Sequence, residues 1–291
     1  MPELPEVETT VRGLNKKVPE RTFIDVWSDW EKIVKKPKSF AQFKKDIKNK
    51  KIKKIWRRAK NIIFDLSDGW SLLVHQKMTG HLLVGEWGLH NGQWKPKKEG
   101  PLSDPYNRFL HLIFFLDNGK MLALSDARKF AKAELWKAEE LLNSKEFNSI
   151  GPEPLDKNFT FKKFEGALGN KKGKIKQVLM NPEVIAGIGN IYSSEALWRA
   201  RIHPEKNVAK LGEKELKSLY EAIKKVLSLA VKLGGESFSD YRKPDGSKGD
   251  FDTERQVYKR EGQKCGRCGE KIKRIKFAGR SAFFCPSCQK L

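Results

Sequence analysis

Two parts of this sequence carry residue types that could do chemistry, and they lie at its opposite ends. The chain starts Met1-Pro2-Glu3. Methionine before a small residue is normally removed, which leaves Pro2 with a secondary amine. An α-amine has a pKa near ~8 against ~10.4 for lysine, so a usable fraction is unprotonated at neutral pH. A secondary amine adding to an aldehyde-like carbon can give only a charged iminium, an electron sink for elimination. Glu3 follows directly, placed to move protons to and from the same substrate. Most Met-Pro starts are merely processed, so the pair alone leaves that bland reading open.

At the other end, all four cysteines fall within the last 27 residues, as Cys265-x2-Cys268 and Cys285-x2-Cys288 with sixteen residues between the pairs. Four thiolates at this spacing suit one tetrahedral Zn2+ and leave no open position for water, so the ion is structural. It contributes folding energy to a segment too small to bury a core. Two disulfides would instead need an exported chain, and MPELPEVETT has neither the basic start nor the apolar run of a secretory signal. Between the knuckles, IKRIKFAGRSAFF alternates apolar and basic residues as a two-stranded hairpin turning at Ala278-Gly279. Arg280 would sit at its tip.

A third block, GIGNIYSSEALWRARIHP over 187–204, sets a Gly-x-Gly turn before a helix, with Asn190 as its cap. Backbone N–H groups at such a turn suit a phosphate, and an ordinary helical hairpin uses the same turn. Three shorter strings, RRAKNI with Lys60, HQKMTGH with His75 and Met78, and SDARKFA with Arg128 and Phe130, place basic and apolar residues at predicted strand ends. Each read separately is a solvated cation or a core side chain.

The elements that must position these residues follow from the pattern. After Pro5, EVETTVRGLNKK reads as a helix with acids at its start and Val7, Val11 and Leu14 on one face. From about 22 to 137, runs such as FIDVW, IKKIW, NIIFDL, SLLVHQKM, FLHLIFFL, MLALSD and KAELW are strand-like, which predicts a β-sandwich. Residues 85–107, turn-rich and aromatic, read as a surface insertion. Helices are predicted at 160–168, 174–180, 190–199 and 213–233. The expected division is a β-sandwich with its flanking helix over 1–137, a helical domain over 138–235, a flexible loop over 236–252 and a zinc finger over 253–291. The class is therefore α+β and multidomain.

Charge names the class of partner. Lys and Arg number 59 against 36 Asp and Glu, a net charge of +23, and the basic residues run from Lys16 to Lys290. Such an excess opposes compaction unless a polyanion neutralises it, and a membrane anchor would be local. No apolar run approaches the ~18 residues of a membrane span. Nucleic acid is the expected partner, in a cytoplasmic setting.

Taken together, MPELPEVET, GPEPL, GIGNIYSSEALWRARIHP, DYRKPDGSKGDF, QVYKREGQKC and GRSAFFCPSCQK resemble, in order and over almost the whole chain, the signatures of the bacterial formamidopyrimidine-DNA glycosylases. The resemblance implies a bifunctional enzyme acting as a monomer on damaged double-stranded DNA, excising 8-oxoguanine and formamidopyrimidines and then cleaving the abasic site by β,δ-elimination. It implies a helix–two-turn–helix in the helical domain, with DNA in the cleft between the domains. Pro2 would be the nucleophile, Glu3 the acid/base group, and Lys60 a catalytic lysine that also contacts phosphate. Asn190 and Arg280 would pinch the backbone, Arg280 serving strand cleavage as well. Met78, Arg128 and Phe130 would fill the space left by the flipped base, while His75, Lys171 and Tyr258 would lie on the DNA-facing surface. The 236–252 loop would close over the flipped purine. The sister endonuclease VIII type, which favours oxidised pyrimidines, typically starts Pro-Glu-Gly and lacks that loop. One departure stands out: where the family usually has Pro, Arg-Arg and a final Gly, this chain reads Asp126-Ala127-Arg128-Lys129-Phe130-Ala131.

Overall fold

Proline in the first turn and Glu6 behind it start the first helix, α1, at Leu4–Leu14, where its apolar stripe predicts it. Val7 and Leu14 are wholly buried, each worth about 1.5–3 kcal/mol of transfer energy. The computed structural model describes residues 1–237, 240–277 and 279–291. Phe238 and Ser239 of the expected loop, and Ala278 of the expected hairpin turn, lie outside them.

The strands that follow are β1 (Phe23–Trp27), β2 (Val34–Lys36), β3 (Ile52–Arg58), β4 (Asn61–Leu66), β5 (Trp70–His75), β6 (His81–Gly85), β7 (Trp87–His90), β8 (Gln93–Pro96), β9 (Leu110–Leu116), β10 (Met121–Ser125) and β11 (Lys132–Lys137). One sheet has the order β1-β9-β10-β6 and the other β2-β11-β5-β4-β3. Their inner faces share one core: Phe23, Leu82, Phe114 and Leu122 from the first meet Ile55, Phe64, Leu72 and Leu135 from the second, with Val7 and Leu14 of α1. This is the expected sandwich. The helix α2 (Phe40–Ile47), not among the predicted helices, is capped by Ser39 and adds Phe43 and Ile47 to that core.

Both sheets are covered on their outer faces too, which explains their near-continuous apolar runs. Residues 85–107 are more than a surface insertion. They form the β7–β8 hairpin and two 3-10 turns, and Trp87, Trp94 and Leu102 pack over Ile113 and Phe115 of β9. On the other sheet, Leu141 and Phe147 cover Ile63 and Leu73. Those two residues belong to the short helices α3 (Ala138–Leu142) and α4 (Lys145–Asn148).

That cover moves the boundaries. The first compact unit is Met1–Asn148 together with Leu233–Asp250, and the second is Ser149–Lys232 with Phe251–Leu291. The segment expected as an unpatterned loop is tied into the first unit: Asp250 N donates to Leu233 O at 2.8 Å, and Gly249 N donates to Ser237 Oγ at 2.8 Å.

In the second unit α5 (Phe161–Leu168), α6 (Ile175–Leu179), α7 (Asn190–Ala200) and α8 (Glu213–Lys232) precede the hairpin of β12 (Lys273–Phe277) and β13 (Arg280–Phe284). The buried face of α8, a helix predicted at 213–233, carries Leu219, Ile223, Val226, Leu227 and Ala230. No helix among the described residues is long and apolar enough to cross a membrane.

Candidate active site

The first unit gathers Pro2, Glu3, Lys60 and His75 around the start of the chain. Pro2 is buried and Glu3 is only 2% exposed. Burial lowers the pKa of the Met1 amine that precedes them, the Glu3 and Glu6 carboxylates oppose that, and the Lys60 ammonium adds to the lowering. The amine is therefore more readily unprotonated than an exposed one.

Glu6, which the sequence offers only as a helix-dipole acid, is the joint of this site. It is 1% exposed. Its Oε2 accepts the Glu3 N–H at 2.7 Å, its Oε1 accepts the Glu236 N–H at 2.8 Å, and its backbone oxygen accepts the Tyr241 hydroxyl at 3.0 Å. A side chain on Gly235 would put a Cβ 2.8 Å from Glu6 Oε1, and its φ of +82° favours glycine as well. The Glu-x-x-Glu spacing of a capping box was the available signal.

Lys60 stands in the β3–β4 turn, behind Ala59 at φ 51°. Arg57 positions that turn: its Nε donates to Glu8 Oε2 at 2.9 Å and an Nη donates to the Ala59 carbonyl at 3.1 Å. Burial raises the Glu8 carboxyl, but Arg57 and then Arg12 outweigh it and hold the pKa below the usual range. His75 lies opposite Asn61 on one side and Lys132 on the other. Burial, then the charges of Lys77, Lys132 and Lys60, push its pKa down to about 3. Its Nδ1 accepts the Lys77 N–H at 2.9 Å. That assigns the proton to Nε2, so His75 is a neutral N–H donor rather than a cation.

The apolar group is held by two linked turns. Met78 is 40% and Phe130 51% exposed, and the Arg128 guanidinium lies 4.5 Å from the Phe130 ring centre. Asp126, wholly buried, accepts the Arg128 N–H at 3.2 Å, the Ala131 N–H at 2.7 Å and the Thr79 hydroxyl. Thr79 Oγ in turn accepts the Arg128 N–H at 3.2 Å. The unusual Asp126-to-Ala131 string thus supplies its own turn, with Lys129 at φ 56°. His111 stands apart: it is 8% exposed and pairs with Asp29 at 2.7 Å.

The second unit gathers Asn190 and Arg280 around α6. Gly189, not Asn190, is the cap of α7, because its backbone is extended and Asn190 is already helical. The Asn190 Oδ1 is buried and makes no hydrogen bond among the described residues. Beneath it lies Lys176, wholly buried, whose Nζ donates to Asn190 O at 3.1 Å, Ser193 Oγ at 2.8 Å and Ser194 Oγ at 2.7 Å. Arg280 is exposed at the start of β13 and donates to Met180 Sδ at 3.6 Å, at the end of α6. Nothing on its own stretch of sequence marks Lys176, because its partners are fourteen or more residues away. Lys171 is exposed, with its N–H donated to Leu168 O at 2.9 Å.

Glu195 carries no local signal either. Its buried carboxylate accepts the N–H groups of Gln256, Val257 and Tyr258 at 2.9, 3.1 and 2.8 Å, which sets Tyr258 against Phe283 at 5.3 Å between ring centres. Burial raises its pKa, opposed by those three bonds.

The four cysteine sulfurs lie within 4.8 Å of one another, with Cys268 3.4 Å from both Cys285 and Cys288. Tetrahedral zinc with bonds of ~2.3 Å needs sulfurs about 3.8 Å apart, so this cluster fits one structural zinc. Trp198 Nε1 donates to Cys265 Sγ at 3.4 Å.

Known protein families match three stretches of the chain. Residues 1–133 match the formamidopyrimidine-DNA glycosylase N-terminal domain, 150–242 the H2TH domain of the same enzymes, and 262–291 the zinc finger found in FPG and IleRS. The formamidopyrimidine-DNA glycosylase of Pelotomaculum thermopropionicum is 38% identical over 291 residues, covering 100% of both chains. That of Lactococcus lactis subsp. cremoris is 37% identical over 291 residues, again with 100% of both covered. Among solved structures, a mutant Lactococcus lactis FPG bound to DNA containing Fapy-dG matches with a TM-score of 0.87 and 36% identity over 100% of both chains. A complex of the same bacterium's Fpg with DNA containing an abasic site matches with a TM-score of 0.86 and 36% identity over 99% of this chain and 100% of that one.

Proposed function

This chain belongs to the formamidopyrimidine-DNA glycosylase family, and from that premise we propose that it excises oxidised purines, 8-oxoguanine and formamidopyrimidines, from duplex DNA and then cleaves the abasic strand. The observation that carries the reading is the chain start. There the Met1 amine has a pKa lowered by burial and by the Lys60 charge, and the buried Pro2, whose nitrogen the loss of Met1 would expose, adjoins Glu3, a carboxylate that is 2% exposed.

Once Met1 is removed, the Pro2 nitrogen lone pair forms a bond to C1′ of the damaged nucleotide. The glycosidic bond breaks, its electron pair leaves with the base, and a proton reaches the base from solvent or a neighbouring acid. Glu3 takes the proton that the Pro2 nitrogen sheds after attack and passes it to O4′ as the C1′–O4′ bond opens, which leaves an iminium at C1′. The iminium acidifies the C2′ proton. Its removal expels the 3′ phosphate by β-elimination, and a further deprotonation expels the 5′ phosphate by δ-elimination. Water then hydrolyses the remaining iminium, which releases the sugar fragment as an aldehyde and returns Pro2.

The other residues serve the extrusion of the base. Lys60, Lys171 and Arg280 supply cationic contacts to phosphate, and His75, Asn190 and Tyr258 supply neutral ones. Met78, Arg128 and Phe130 occupy the vacated stack and offset the lost stacking energy. The four cysteines hold the zinc that folds the finger, and the ion takes no part in these steps. The compartment expected for such an enzyme is the bacterial cytoplasm, at the nucleoid.

Borohydride trapping tests this on two duplexes, one with an abasic site and one with 8-oxoguanine opposite cytosine. A covalent adduct is expected on both, and none when the N-terminus is extended. No adduct on either would refute the enzyme reading, and preference for oxidised pyrimidines would refute the substrate.

A further inference from the structure

The segment 240–249 is unpatterned in sequence, yet it is tied down by burial and by hydrogen bonds. Tyr241 is 5% and Arg242 only 1% exposed. Two of its internal hydrogen bonds close a turn, from Lys243 N to Ser247 O and from Gly246 N to Lys243 O, both at 2.8 Å. Such a turn is marginal alone, so its shape must be held from outside.

Much of that hold comes from the 85–107 insertion and the strand beside it. Arg242 Nη2 donates to Asp104 Oδ1 at 3.0 Å, and the guanidinium carbon lies 4.6 Å from the Tyr106 ring centre. Asn107 Nδ2 donates to Gly246 O at 3.2 Å and to Pro101 O at 2.9 Å, while its Oδ1 accepts from His81 Nε2 at 2.9 Å. β6 is an edge strand, and Val84 N donates outward to Pro244 O at 2.8 Å. A Cβ on Gly246 would come within 2.6 Å of Pro101 O, so the two backbones touch where only glycine fits, and its φ is +86°. Asp104 is itself a fixed anchor, since its Oδ1 also accepts the Tyr106 N–H at 2.9 Å.

We propose that the 85–107 insertion is a brace that holds the 240–249 loop in its base-binding shape before DNA arrives, with Asp104 as a positioning residue acting through Arg242. The inference rests on the reading above, in which this loop closes over the flipped purine. A loop ordered in advance loses less conformational entropy when the base enters. A flipped base needs the loop; an abasic sugar offers no base for it to hold. Asp104 should therefore matter for excision and not for abasic-site cleavage.

The test has two arms on the full, zinc-loaded protein. In the first, amide exchange is compared between the free wild type and Asp104→Asn. The Lys243, Gly246, Ser247 and Gly249 amides should exchange about tenfold faster in the variant, with α1 and the zinc finger unchanged. Equal protection would overturn the brace. In the second, single-turnover rates are measured on 8-oxoguanine and abasic duplexes. Asp104→Asn should lower excision about tenfold while abasic cleavage stays within about twofold, and Asp104→Glu should recover most of the loss. A parallel fall in both rates, or no fall, would overturn the positioning role. If Asp104→Asn does not fold, Tyr106→Ala removes the ring under the guanidinium and carries the same expectations. Should the wild type cleave abasic DNA but excise no purine, the functional reading fails and the positioning role with it. The exchange arm still decides the brace.

Discussion

Arg57 Nε lies 2.9 Å from Glu8 Oε2, and this pair fastens the turn that carries Lys60 to the helix that begins at Glu3 and Leu4. The Arg57 side chain is 8% exposed, so the charge pair is well shielded from water. Glu8→Gln should cost about 2 kcal/mol of stability and slow iminium trapping about tenfold, since Lys60 is no longer held. Glu8 has a depressed pKa when folded, so its stabilisation is present above the usual carboxylate range and fades as pH falls through the lower folded value. Denaturation at pH 7 and pH 3 checks this: the variant and wild type should converge at the lower pH.

Lys60 lowers the pKa of the Met1 amine, and the Pro2 amine left when Met1 is removed is expected to feel the same charge. In Lys60→Ala the amine should titrate at higher pH, so the rise of trapping rate with pH moves toward the alkaline side. The maximal rate should also drop by about tenfold or more. A profile of unchanged midpoint in the variant would show that the charge does not reach the nucleophile.

Phe130 and Met78 are exposed apolar side chains with no core to serve. Phe130→Ala should lower excision of 8-oxoguanine by about 10–100-fold and leave thermal stability within about 0.5 kcal/mol. Activity on a lesion in single-stranded DNA, where no stack is vacated, should fall less.

His81 is 1% exposed, and burial pushes its pKa down to about 4, opposed by the hydrogen bond with Asn107. It is neutral when folded and binds a proton more readily when unfolded. Its contribution is therefore complete above pH ~6.5 and is lost as pH falls toward the folded value, by roughly 3 kcal/mol in all. Urea unfolding across that window should steepen accordingly, and His81→Gln should flatten the curve. Because His81 holds Asn107, the amides of 243–249 should also lose protection in the same window.

Removal of zinc leaves four thiols with only the small cluster of Trp198, Val257, Ile272 and Phe283 around them. Chelation should abolish DNA binding and leave the first unit's own unfolding transition in place, with binding restored when zinc is returned. Unchanged DNA affinity in the zinc-free protein would contradict a structural role for the finger in binding.

How far the sequence speaks depends on how local the cause is. The helix α1 was legible because Pro5, the acids and the apolar spacing all lie within its own residues. The zinc cluster was legible because ligand spacing is itself the chemistry. The function of 85–107 was hidden because Trp87, Trp94 and Leu102 keep no strand or helix period; their partners, Ile113 and Phe115, lie on another element. Lys176, Glu195 and Arg242 were hidden for the same reason, since each is a charged residue whose burial is decided by partners far along the chain. Asn190 sits one residue past the cap because a glycine takes the extended position before it.

The β7–β8 hairpin lies over the outward side of β9, and this limits how the protein can be shortened. A chain trimmed of the hairpin would bare Trp27, Ile113 and Phe115 as one greasy strip across β9 and the edge strand β1. Such a variant should precipitate or self-associate before its catalysis could be judged. Miniaturising this enzyme therefore means recolouring that strip with polar side chains at the same time.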